Sequence, residues 1–214
     1  MYFARALTGS LVALALSSAV AFAAAAHDCS GFDPKADKAL QVWSPPTPGT
    51  CTPKSTTVDG VAYPIPDPGC TPGAVNPTLK LVILKGPAFS TDCERNKATS
   101  ASAKNGTYDW YGVPHPANNT GLNQICELDH LISIEIGGAD TLDNIWPQCG
   151  PAGVKHSDRF FMQKDSVENY LAAQVRDGKM KLSDIQAGIA KNWTQYLKAA
   201  TKYYETHKKR NNGG

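Results

Sequence analysis

Between residues 167 and 175 the chain sets Val167, Tyr170, Leu171 and Val175 at i, i+3, i+4 and i+8, the spacing that gathers apolar side chains on one face of an α-helix. Gly178 stands where that helix would stop, because glycine takes the left-handed conformation that closes helices. A second helical pattern opens at Ser183 and carries Ile185, Ile189, Trp193, Tyr196 and Leu197 on one side, an aromatic stripe that reads as core. Upstream the pattern changes. "TLKLVILK" at 78–85 is a short, nearly continuous apolar run that reads as a strand, and "ATSASAKNG" at 98–106 reads as a short helix ending at its glycine. "TTVDGVAY" places Asp59-Gly60 between β-favouring residues, a two-residue hairpin signal.

The stretch "CELDHLISIEIGGADTLDNIWPQC" at 126–149 combines an apolar, strand-like run with Glu127, Asp129 and His130 at its start. Neighbouring side chains on a regular strand point to opposite faces, so Asp129 and His130 can converge only where the strand ends. Gly137-Gly138 and "ADTLD" supply a loop, and "NIWPQ" supplies a short segment able to return antiparallel.

Composition narrows the setting. Residues 1–26 read as an export signal, with Arg5, an apolar stretch from Leu7 to Val20, and small-x-small sites at Ala21-Phe22-Ala23 and Ala24-Ala25-Ala26; the stretch is too rich in Ala, Ser and Gly for a good membrane anchor. The six cysteines all follow it and none forms a CxxC pair, which favours disulfides in an exported, periplasmic or extracellular protein over a structural zinc site. Ten of the fifteen prolines fall between residues 27 and 78, so this segment is expected to be turn-rich and braced by disulfides. Cys51 and Cys70 flank the predicted hairpin and are candidates to pair. Residues 1–26 hold one of the 21 basic residues and none of the 19 acids, leaving a nearly neutral chain without a polybasic footprint. The dense basic run "HKKR" at 207–210 reads as a solvated tail. Trp110 and Tyr111 in "YDWYGVPHP" read as a small satellite core in preference to a base-stacking platform.

Strand, loop with a glycine pair, strand and helix, with Asp-His closing the first strand and Asn144 opening the second, resemble the HNH endonucleases of the ββα-metal (His-Me finger) superfamily. The resemblance is to a subgroup with a "DHLIPLELGG...NLWPQ" pattern followed by "KDxxE"; this chain has "DHLISIEIGGADTLDNIWPQ" and "KDSVE" at 164–168. It covers residues 126–168, about a fifth of the chain, and extends weakly through "TPGAVNPTL" at 71–79 and "WYG" at 110–112. Ser133 stands where the family usually has proline, and Cys126 and Cys149 bracket the motif where many members carry a zinc knuckle. A Cys126–Cys149 disulfide is expected to serve instead.

The resemblance implies an α+β fold with a ββα-metal core, preceded by the Pro-rich, disulfide-braced segment and followed by C-terminal helices. The implied layout is a signal at 1–26, an irregular extension at 27–78, the nuclease domain at 79–206 and a flexible tail at 207–214. It further implies metal-dependent hydrolysis of DNA, with RNA also open, at low sequence specificity. His130 would be the general base, since a neutral imidazole can take a proton from water. Asp129 would hold one divalent ion, Mg²⁺ foremost and Mn²⁺ as an alternative, with Asp165, then Glu168, then His156 as further ligands. Asn144 would pin the loop that orients the histidine. From charge and proximity alone, Arg95, Lys97, Lys155, Arg159 and Lys164 are candidates to grip backbone phosphates. Simpler readings compete: Asp165 and Glu168 as an N-cap pair at a helix start, and Glu127 as a solvated edge charge. Two other functions stay open, a non-enzymatic secreted binding or envelope protein on the same scaffold and a metal-dependent phosphoesterase for smaller substrates.

Overall fold

A computed structural model describes residues 44–95 and 99–211. The expected export signal, Cys29 and Lys97 lie outside the described residues. Strands β1 (Lys54–Val58) and β2 (Val61–Ile65) pair antiparallel, joined by Asp59 and Gly60 with φ of 50° and 82°. Positive φ at both central residues is what a tight hairpin matched to strand twist requires. The Cys51–Cys70 disulfide closes the base of this hairpin.

Three helices follow: α1 (Leu81–Leu84), α2 (Thr91–Glu94) and α3 (Ala101–Trp110). The run at 78–85 is thus a helical turn and not a strand. Leu79 and Leu84 are buried while Val82 is 74 % exposed, so one side of the turn packs and the other faces water, and a short apolar run does not distinguish these states by periodicity. Helix α3 continues past Gly106 to Trp110, started by the Ser100 hydroxyl accepting from the Ala103 amide.

Strands β3 (Cys126–His130) and β4 (Ile145–Cys149) form the second antiparallel sheet, with Asp129 opposite Trp146 and His130 opposite Ile145. A Cys126–Cys149 disulfide joins its open end. Helix α4 (Phe160–Arg176) comes next, then Gly178 at φ +70°. The helix expected from residue 183 is divided: α5 (Leu182–Asn192), a 3-10 turn at Trp193–Tyr196, and α6 (Leu197–Asn211). Asn192 turns extended and its side chain accepts from the Thr194 amide, capping a new start. Helix α6 extends through residue 211, where a flexible tail from 207 was expected; the Tyr203 carbonyl bonds Nδ1 of His207 and the two rings stack at 3.9 Å, an i,i+4 contact that supports helix.

The main core gathers Ile132 and Ile136 from the loop after β3, Leu171 from α4, and Ile185, Ile189 and Trp193. Tyr63 ties the hairpin to it, and Trp193 donates its indole N–H to the Pro64 carbonyl. A second cluster places Trp110, Tyr111, Leu131 and Trp146 around the Cys51–Cys70 bridge. The 110–111 aromatics are therefore core, at 7 % exposure each. The architecture is mixed α+β with two small antiparallel sheets. Among the described residues no helix is long and apolar enough to cross a membrane, and the disulfides are compatible with an oxidising, exported setting.

Candidate functional site

Pairing of β3 ends at His130, and the chain then turns sharply. Gly138 lies so close to the Ile132 carbonyl that an added Cβ would sit 1.8 Å from its oxygen, and Gly137 takes φ +82°, so the glycine pair lets the loop fold back on itself. Asn144 locks this fold. Its Oδ1 accepts from the Ile132 amide at 2.9 Å, and its Nδ2 donates to the carbonyls of Ile132 and Ala139 at 2.9 and 2.8 Å. Fully buried and committed to backbone, Asn144 shapes the loop and does not line the cleft described next.

A polar cleft of about 210 Å³ opens between the end of β3 and α4. Glu127, Asp129, His130, Glu135, Asp165 and Glu168 are among its lining residues. His130 is only 6 % exposed. Its Nε2 lies 2.8 Å from Oδ1 of Asp140, which also accepts from Nζ of Lys104 at 2.5 Å. Burial lowers the affinity of the His130 ring for a second proton, and this outweighs the opposing effect of Asp140. Burial alone would raise Asp140, but the hydrogen bonds from His130 and Lys104 bring it below the usual carboxylate range. The ring therefore rests neutral beside an ionised carboxylate.

The other half of the cleft is acidic. Lys164, Asp165 and Glu168 project from α4, which begins at Phe160 and has no side-chain cap at Arg159. Asp165 and Glu168 thus stand well inside the helix, and the N-cap reading fails. Lys164 is fully buried: its ammonium donates to the His130 carbonyl at 2.7 Å and to the Glu168 carboxylate, and lies 2.8 Å from Asp129 Oδ2. Burial opposes that charge, yet Asp129 and Glu168 hold the Lys164 proton more firmly than usual. Asp129 Oδ2 is thus ion-paired with the Lys164 ammonium, whereas Oε2 of Glu135 is buried without a hydrogen-bond partner. Glu127 is pushed up to about 7, by burial first and then by Asp129 and Asp165. Asp165 is pushed up to about 6 by burial and then by Asp129. Burial also raises Glu168. Five carboxylates therefore line the cleft, with Arg95 at its wall and Lys164 paired to two of them.

The candidate phosphate-gripping residues separate. Arg95 is exposed and lines the cleft. Lys155 is exposed but is not among the lining residues. Arg159 is 7 % exposed and bonds the Pro151 carbonyl, while Lys164 is committed to the carboxylates; neither offers its charge to a phosphate, because formal charge carries no information about burial. His156 packs edge-on against Phe161 and stands outside the lining. Glu127, read as an edge charge, lines the cleft instead. Asp140, Lys104 and Glu135 escape sequence reasoning, although an aspartate directly after Gly-Gly-Ala in an apolar segment is a usable signal for Asp140.

Comparison of the chain with family models, with curated proteins and with solved structures gives no match.

Proposed function

We propose that the protein is an exported, metal-dependent endonuclease of the HNH type that hydrolyses DNA or RNA backbone with little sequence preference. One observation carries this reading: a neutral histidine at the end of β3 borders the same cleft as the carboxylates of Glu127, Asp129, Glu135, Asp165 and Glu168. In this role His130 accepts a proton from the attacking water. Phosphodiester hydrolysis also needs a cation, which when bound would stabilise charge on the phosphate and the departing oxygen.

The donor set suits a hard cation. Glu135 keeps a buried carboxylate oxygen without a donor, and Glu127 and Asp165 are raised by burial and then by the charge of Asp129. Among the described residues no three His, Cys, Asp or Glu side chains stand as a ready-made metal site. Mg²⁺ does not require one, because it keeps several waters and binds through one or two carboxylates together with substrate phosphate. Asp129, through the oxygen not paired with Lys164, and Asp165 would hold it, with Glu127 beside them, while Lys164 also occupies Glu168. Without the cation the acidic cleft repels nucleic acid, so activity should depend wholly on it, with Arg95 at the rim for a phosphate.

Plasmid nicking tests the proposal. Cleavage is expected with Mg²⁺ or Mn²⁺, and should be lost with EDTA and in His130→Ala with its circular dichroism spectrum retained. Unchanged nicking by that variant refutes the role of His130. A second reading is favoured by the buried Lys164: its ion pairs make the cluster partly self-neutralised, as in a non-enzymatic scaffold whose charges serve stability. That reading predicts no nicking and no Mn²⁺-dependent shift in melting temperature.

A further inference from the structure

We propose that Asp140 and Lys104 are positioning residues that hold the proton of the neutral His130 ring on Nε2, so that Nδ1 is the nitrogen offered to the cleft. The inference rests on the reading of His130 as general base and specifies which of its atoms does the work. Lys104 lies outside the stretch that carries the family resemblance, and Asp140 falls in the unspecified gap between its Gly-Gly pair and Asn144.

The geometry begins with Lys104, whose ammonium can only donate. It points at Asp140 Oδ1 from 2.5 Å, and His130 Nε2 approaches the same oxygen at 2.8 Å. An oxygen receiving a hydrogen bond from an ammonium is an acceptor, so the imidazole nitrogen facing it must bring the hydrogen. The opposite tautomer would set a nitrogen lone pair against a carboxylate. Asp140 is fully buried and its Oδ2 has no partner, so these two donors define how the carboxylate is held. Its backbone is fixed as well, since the Asp140 carbonyl accepts from the Thr99 hydroxyl at 2.7 Å. On the other side of the ring, Nδ1 is not among the buried nitrogens left unpaired, and no described group bonds it; it keeps contact with solvent at the cleft.

The division of labour follows. When Nδ1 takes a proton from water, the positive charge spreads over a ring already facing Asp140, as in other histidine–carboxylate pairs. Lys104 keeps that carboxylate in place and in acceptor form before any proton moves.

The test uses the ¹⁵N-labelled full chain without metal. Long-range proton–nitrogen correlation of the His130 ring, at a pH where it is neutral, should show a protonated Nε2 and a bare Nδ1. Asp140→Asn should shift the ring toward the Nδ1–H tautomer and lower kcat for plasmid nicking at least about tenfold while KM changes less than about twofold. Lys104→Met should move both readouts in the same direction by less. A wild-type ring protonated on Nδ1 overturns the assignment without any variant. So does a folded Asp140→Asn protein with unchanged tautomer and kcat. Absence of nicking by the wild type refutes the nuclease reading, whereas the tautomer measurement needs no substrate and decides the placement of the proton separately.

Discussion

The ammonium of Lys164 lies 2.8 Å from Asp129 Oδ2, with no part of the Lys164 side chain exposed and 7 % of the Asp129 side chain exposed. A helix lysine and the strand residue before the histidine are thereby joined across the cleft floor, and the same ammonium caps the His130 carbonyl. The pair fixes α4 against the end of β3, which makes it a structural support for both halves of the candidate site.

Replacing Lys164 with Met should therefore destabilise the protein by about 3–5 kcal/mol, the usual cost of stranding buried charge by removing one partner. Asp129 and Glu168 would both lose their nearest cation. Urea unfolding followed by circular dichroism measures this. A loss below about 1 kcal/mol, the scale of an exposed pair, would show that the cluster is solvated and does not hold the fold.

Glu127 gives a pH signature with a definite sign. Its folded value, about 7, lies above the ordinary 4.5, so the folded chain holds a proton that the unfolded chain has released. The associated stability is present below pH 4.5 and lost as pH rises through about 7. Glu127→Gln abolishes that loss. In the metal-free protein the variant should match wild type near pH 4 and exceed it at pH 8 by on the order of 2 kcal/mol, allowing for partial exposure. Because His130 and Asp140 titrate in both proteins, only the difference between the two unfolding curves is diagnostic. A difference that does not grow with pH would place Glu127 in open solvent.

Legibility in the sequence divided along physical lines. Asp59-Gly60 announced its hairpin because turn geometry is a local demand on two residues. His130, Asp129, Asp165 and Glu168, which line one cleft, were legible through the family resemblance, whose strand, glycine loop and helix lie close together along the chain. Lys104 was not, since its partner Asp140 is 36 residues away and only the packing of α3 beside the loop makes them neighbours. The break at Asn192 was hidden for a different reason: Ile185, Ile189, Trp193 and Leu197 keep helical spacing across it, and the cap that interrupts them depends on two hydrogen bonds that the Asn192 side chain accepts from the Thr194 amide and hydroxyl. Arg159 and Lys164 were assigned to phosphate on charge, but burial and ion pairing decide what a charge can reach.

Asn144→Ala should cost on the order of 3 kcal/mol, because it strands the Ile132 amide and the carbonyls of Ile132 and Ala139, each buried group costing roughly 1–3 kcal/mol when left unpaired. Accelerated hydrogen exchange confined to residues 131–144 would report the loosened loop. A variant with wild-type stability and exchange would mean that Gly137 and Gly138 alone hold the loop closed.

The Cys126–Cys149 bridge should matter to the cleft more than to the rest of the fold. It spans 23 positions and encloses both strands, the glycine loop and Asn144, so a double Cys→Ser variant should lose about 3 kcal/mol by the chain-entropy account. The main core around Trp193, Leu171 and Ile185 lies outside that loop and is joined to it by Ile132 and Ile136. The variant should therefore keep its helical circular dichroism while its cleft loosens, seen as weaker Mn²⁺ binding in calorimetry and faster exchange at residues 126–130. Complete unfolding at room temperature would show instead that the helices cannot hold together without the bridged hairpin, and that α4 depends on β3 and β4 for its own stability.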